Sequence, residues 1–138
     1  MILVAATGCA ANPIAAEWVC KAEGDVAILE RECRARKEPS YDGACFHAQQ
    51  CAEKYLKARL CEADVSFSKI HDLVALLEQV LEAEPGWETF REDLAFLSDF
   101  SVSFRYPGES ADRGSALDAR RRCRLFRQAA RHALGLET

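Results

Sequence analysis

Residues able to do chemistry gather in three places. The first is Cys45–Leu60, CFHAQQCAEKYLKARL. At 100° per residue, a helix here puts Phe46, Gln50, Glu53 and Lys57 in one narrow stripe, opposite Ala44, Ala48, Cys51, Ala52 and Tyr55. Pattern alone favours a solvated face carrying a Glu53–Lys57 pair, a contribution of ~0.3–0.5 kcal/mol. Phe46 suits an interface better than open water. The second place is the last helix, which carries six arginines and no acid from Arg120 to Arg131. Arg120, Arg124, Arg127 and Arg131 recur at i, i+4, i+7 and i+11, so they form one stripe. Like charges at that spacing repel. Either acids from another segment or an anionic ligand must offset them, and Glu78, Glu82, Glu84, Glu88 and Glu92 are the acids this reading offers. Arg122 points to the apolar side, as an interface ion-pair residue would. The third place is His71–Asp72. A histidine near a helix start is usually a hydrogen-bonded structural residue, but its neutral-range titration also suits proton transfer.

Five helices and no strands are expected to position these groups. Asn12 caps the first with Pro13 at its first position, and Trp18, Ala22, Val26, Leu29 and Cys33 follow at helical spacing. Ser40 caps the second, which runs to about Glu62. The third opens around His71–Asp72, carries Ile70, Leu73, Leu76, Leu77, Val80 and Leu81, and stops at Pro85–Gly86. The fourth runs from about Trp87 through Phe100. Ser115 with Asp118 resembles a capping box for the fifth, which ends at Gly135. Short connections between such helices predict an all-α, five-helix antiparallel up-and-down bundle, a four-helix core plus a short extra helix. Residues 1–12 read as an N-terminal extension, 13–135 as the helical domain and 136–138 as a tail.

The 138 residues suit one domain with one core. Net charge is −4, but residues 105–138 hold eight basic and four acidic side chains, so anion binding is sought there first. Seven scattered cysteines, without CxxC, read as free thiols of a reducing, cytoplasmic protein. No metal site is expected, because close ligand pairs are lacking, and no cofactor is implied. No run approaches the ~20 apolar residues of a membrane span.

FHAQQCAEKYLKA, HDLVALLEQV, RYPGE and a long final helix, in that order, resemble the HEPN family (higher eukaryotes and prokaryotes nucleotide-binding). EWVCKAEGDVAILE is similar to that family's first helix, and the resemblance spans about residues 14–134. It implies an all-α bundle that dimerises, here through the first two helices and the 103–110 loop. It also implies pairing with a minimal nucleotidyltransferase in a toxin–antitoxin-like unit. Active members are metal-independent endoribonucleases with an Arg followed, four to six positions on, by a His. Arg105, Tyr106 and Pro107 match an RYP variant, yet no His stands at 109–112. Arg127 and His132 fit the spacing as text, but five helical residues set them ~140° apart, and they come too late in the chain. The resemblance therefore implies a nucleotide- or RNA-binding domain without strong nuclease activity, its groove lined by Gln50, Glu53, Lys54, Lys57, Arg105 and Tyr106. One alternative is a protein-interaction module docking the nucleotidyltransferase. Another is a weak endoribonuclease, with Arg105 on the phosphate and His71, oriented by Asp72, as base.

Overall fold

The computed structural model describes residues 12–67, 69–101, 104 and 106–137. These form five α-helices: α1 (Pro13–Arg34), α2 (Tyr41–Glu62), α3 (Leu73–Val80), α4 (Arg91–Ser98) and α5 (Arg113–Ala133). Two 3₁₀ turns, Pro85–Phe90 and Asp99–Ser101, flank α4, and the described residues contain no strand. The all-α bundle expected from the sequence is the fold.

Helix α2 is the hub and packs on each of the other four. Its sequence permits that. Ala44, Cys45, Ala48, Cys51, Ala52 and Ala58 are small and buried, so neighbouring backbones approach closely, while Tyr55, Leu56 and Leu60 fill the space between. Helix α1 runs antiparallel to it, and the Asn12 amide donates to the Cys61 carbonyl at 2.7 Å, fastening the start of one to the end of the other. Helix α5 is antiparallel to α1. Trp87 and Phe90 meet Phe126 of α5 edge-on at 5.0 and 5.4 Å between ring centres, closing the core on that side.

The caps explain where the helices begin. Asn12 accepts from the amides of Ile14 and Ala15, and Ser40 from Gly43, as read from the sequence. Two starts differ. Asp72 caps α3 through the amides of Val74 and Ala75, so His71 lies before the helix, not within it. Asp112, not Ser115, caps α5, accepting from the Ser115 amide at 2.7 Å. The expected fourth helix also splits, because Pro85 opens a 3₁₀ turn holding Trp87 before α4 begins at Arg91. Helix α5 ends in a Schellman pair, with Leu136 donating to Arg131 and Gly135 to His132, and Gly135 at φ +77°. Of the reading of residues 1–12 as an extension, only Asn12 falls among the described residues, where it is the α1 cap.

Candidate functional site

Helix α2 is so enclosed that polar side chains follow its backbone into the interior. Glu53 and Lys57 are only 3% and 4% exposed, so the solvated-face expectation fails for them. Lys57 Nζ donates to Glu53 Oε2 at 2.9 Å and sits 5.3 Å and 5.7 Å from the ring centres of Trp18 and Phe67. Gln49, fully buried, donates from Nε2 to Glu53 Oε1 and to the His71 carbonyl, both at 3.1 Å. His71 Nδ1 lies 3.1 and 3.2 Å from the two Glu53 oxygens. Burial opposes a charge on Glu53. The hydrogen bonds from Lys57 and Gln49, the Lys57 charge and the His71 contact overcome it and hold the carboxyl below its ordinary range.

A second cluster joins α2 to α1. Asp25, also buried, receives His47 Nδ1 on one oxygen at 2.7 Å and Lys54 Nζ on the other at 2.6 Å. Between the clusters, Gln50 donates to Gln49 Oε1 at 2.7 Å. Helical spacing places His47, Gln50 and Lys54 in one line along α2. All three are half-buried, and the half-buried Phe46 stacks edge-on to His47 at 5.2 Å.

Both histidines thus use Nδ1 on a carboxylate. A carboxylate oxygen only accepts, so each Nδ1 carries the proton and each Nε2 of the neutral ring keeps its lone pair. The His71 side chain is 66% exposed, so its Nε2 can reach a ligand. The residue orienting this ring is Glu53, not Asp72, whose oxygen is spent on the α3 cap.

The arginine stripe has a different fate. Arg124 clasps Glu30 through Nε and Nη2 at 2.7 and 2.6 Å, and Arg120 approaches the same carboxylate at 3.8 Å. Arg127 clasps Glu23 with two bonds of 2.8 Å. Arg131 reaches the Tyr55 hydroxyl at 3.1 Å and Glu23 at 3.6 Å, and Tyr55 itself donates to Glu23. The acids are therefore Glu23 and Glu30 of α1, not those of residues 78–92. Antiparallel packing makes this register natural, since Glu23 and Glu30 are seven apart and each meets a pair of arginines on α5. Burial and the Glu23 hydrogen bond push the Tyr55 hydroxyl well up. Arg122 behaves as read, bonding Asp93 at 2.9 Å and Asp118 at 3.1 Å, with its guanidinium 4.4 Å from the Phe96 ring centre.

Among the sequence-derived site residues, the structure gathers Gln50, Glu53, Lys54, Lys57 and His71 on one side of α2. Arg120, Arg124, Arg127 and Arg131 lie on α5 and share two carboxylates of α1, Glu23 and Glu30. Tyr106 stands 70% exposed in the turn before α5. Arg105 lies outside the described residues. Sequence reasoning missed Asp25 and Gln49. The i, i+7 spacing of His47 and Lys54 was the available signal, and Asp25 could not be paired with them before the α1–α2 register was known.

The HEPN domain model matches residues 15–133 of this chain. The chain belongs to the HEPN family. No curated protein and no solved structure matches it. Within this HEPN domain, the residues of FHAQQCAEKYLKA and the histidine of HDL meet physically, because Glu53 and Gln49 both bond His71. No helix among the described residues is long and apolar enough to cross a membrane.

Proposed function

We propose that this HEPN domain binds a nucleotide or RNA along α2, its phosphate near Lys54 and Gln50, and that it works as the partner of a minimal nucleotidyltransferase in a toxin–antitoxin-like pair. The observation that carries the reading is the half-buried line His47, Gln50, Lys54, with the exposed His71 beside it. It combines a cation, an amide donor and imidazole nitrogens with a partly open face, a set suited to phosphate oxygens and base edges. Arg124 and Arg127 of the stripe are less suited to that role, because each gives Nε and Nη2 to one carboxylate, Glu30 and Glu23, whereas Lys54 gives one of its three N–H donors to Asp25. Binding is preferred to cleavage because Glu109–Asp112 holds no histidine.

The test is a fluorescence-anisotropy titration with labelled RNA and with ATP, each at two salt concentrations. Wild type binds one of them with an affinity that falls as salt rises. Lys54→Ala and Gln50→Ala weaken binding, and Arg124→Ala does not. No binding of either ligand at low salt sinks the proposal.

A second reading rests on the Glu53–His71 pair. An imidazole held at Nδ1 by a buried carboxylate has the arrangement of a general base. A weak metal-independent endoribonuclease would then use His71 Nε2 on the 2′-hydroxyl, with Arg105 on the phosphate. Cleavage of a structured RNA in EDTA, abolished by both His71→Ala and Arg105→Ala, would favour it over pure binding.

A further inference from the structure

The two glutamines at the centre of α2 form a relay whose direction is fixed at its buried end. Gln49 is fully buried, and its Nε2 gives one proton to Glu53 Oε1 and the other to the His71 carbonyl, both at 3.1 Å. A side-chain amide has two N–H donors and one acceptor oxygen. With both donors spent, Gln49 has only Oε1 to offer, so Gln50 turns its own Nε2 toward it, at 2.7 Å. That leaves Gln50 with one N–H and its Oε1 unspent. Among the described residues no buried side-chain nitrogen or oxygen lacks a partner, so the unpaired Gln50 Oε1 opens to solvent.

The same holds for His47 Nε2, the lone-pair end of a ring whose Nδ1 proton goes to Asp25 at 2.7 Å. His47 and Gln50 are helical neighbours on one face of α2. Their open edge therefore offers two acceptors and one donor. The half-buried Phe46 stands one turn before Gln50, and Lys54 one turn after it. Lys54 gives one of its three protons to Asp25 and keeps two. A ligand that fits this order needs a flat face, an edge with two donors beside one acceptor, and an anion. An adenine nucleotide has that order. Its N6 amino group carries two protons, and the ring nitrogens beside it accept. In guanine the amino group flanks N3, close to the ribose, and the opposite edge shows only the acceptors O6 and N7. Uracil has no amino group. Cytosine repeats the pattern on a single ring, which covers less of Phe46.

We propose that Phe46, His47 and Gln50 read an adenine base and so set the base preference of the α2 site. The proposal rests on the α2 reading and adds to it a ligand class, an adenine nucleotide, free or within RNA. Gln50 Oε1 and His47 Nε2 accept the N6 protons, and the open Gln50 N–H donates to N1 or N7. The ring lies against Phe46, and Lys54 meets the phosphate. Gln50 discriminates between bases, whereas Lys54 is indifferent to them.

Isothermal titration calorimetry on the full chain with AMP, GMP, CMP and UMP tests this. AMP should bind about tenfold or more tighter than GMP and UMP, the discrimination expected of one bidentate amide–base pair, and tighter than CMP. N6,N6-dimethyl-AMP lacks both amino protons and should lose about the same factor, with the protein unchanged. Gln50→Met should bring the four nucleotides to within about threefold of one another, while Lys54→Ala should weaken all four and leave their ratios as they are. A ratio is insensitive to a general loss of folded protein, so a destabilised variant does not imitate this result. Short homopolymer RNAs separate the sources. A preference for oligo(A) alongside AMP makes the free nucleotide sufficient, and a preference for oligo(A) without AMP binding puts the adenine in RNA; either supports the proposal. Equal binding of all four bases overturns it and leaves the α2 reading standing. So does N6,N6-dimethyl-AMP binding as tightly as AMP, or an adenine preference that survives Gln50→Met. No binding of any of these ligands at low salt sinks both.

Discussion

Replacing Glu53 by Gln should cost this domain about 3 kcal/mol. The change keeps shape and removes only the charge facing Lys57. At 2.9 Å the pair attracts with a gross energy of about 6 kcal/mol at an effective dielectric of 20. Most of that offsets the loss of water around both groups, whose side chains are 5% and 6% exposed. Removing one partner of such a pair costs about 3–5 kcal/mol, because the other stays buried and unmatched. Trp18 and Phe67 reduce this, since their faces each attract the ammonium by about 0.5–1 kcal/mol or more. Lys57→Met should cost less, about 1–2 kcal/mol. Glu53 then keeps Gln49 and His71, whereas Lys57 has no second carboxylate bonded to it. Urea unfolding measures both. With a slope of about 1–3 kcal/mol per molar, Glu53→Gln should lower the midpoint by roughly 1–3 M. A Glu53→Gln protein within about 1 kcal/mol of wild type would refute the argument, as would Lys57→Met proving the more damaging of the two.

Other outcomes follow from the same geometry. Glu23→Ala should cost about 2–4 kcal/mol, because Tyr55, Arg127 and Arg131 lose a shared acceptor. Glu30→Ala should cost about 1 kcal/mol or less, because Arg124 is 54% exposed and water replaces the pair; thermal melts rank the two. Asp72→Ala should cost about 1 kcal/mol through the lost α3 cap, whereas His71→Ala, at an exposed ring, should change stability by about 0.5 kcal/mol or less. Acid unfolding should start late. Burial opposes the charges of Glu23 and Glu53, yet arginine, lysine and hydrogen-bond partners hold both carboxyls below their ordinary range, and the Arg124 bond does the same for Glu30. A lowered folded value means stability fully present above the unfolded carboxylate value, ~4.3, and lost as pH falls through the folded ones. Stability from these groups should therefore be flat from pH 7 to about 5 and decline below about 4, with a shallower acid limb in Glu53→Gln.

The bundle was legible in the sequence for physical reasons that act locally. Asn12–Pro13 and Ser40 satisfy amides a few residues away, and the Ala/Cys/Tyr stripe of α2 repeats every turn, so both can be read without knowing the neighbours. Pairings that need tertiary register were not legible. Glu23 and Glu30 sit about a hundred residues from Arg127 and Arg124, and nothing local distinguishes them from Glu78 or Glu88. The polar stripe of α2 misled for the same reason. Glu53–Lys57 has the spacing of an exposed helical pair, and the tertiary neighbours Trp18, Phe67 and His71 turn that pair into a buried one. Asp72 shows a local rule overriding a functional guess, since its side chain serves the nearest free amides and leaves the ring beside it to a carboxylate eighteen residues earlier.

That contrast also says where function is to be sought in this HEPN domain. The α1–α5 ion pairs are largely closed, because Glu30 and Glu23 clasp Arg124 and Arg127, and Arg131 reaches Tyr55 and the Glu137 carbonyl. A ligand would have to break bidentate bonds to enter there, at a cost that one phosphate contact does not offset. The α2 face is different. Its buried members Asp25, Gln49 and Glu53 hold the half-open His47, Gln50, Lys54 and His71 in fixed orientations, by bonds that leave the Nε2 atoms of both rings unspent. Buried groups that position, and exposed groups that remain unsaturated, are what a preorganised site requires. Disrupting the buried layer should therefore harm both stability and ligand binding. Substituting Gln50 should reduce binding and leave the urea midpoint near that of wild type, whereas Lys54→Ala should reduce binding and also lower the midpoint, because the buried Asp25 then keeps only His47; a Lys54→Ala protein that binds normally but unfolds early would assign that lysine to the scaffold.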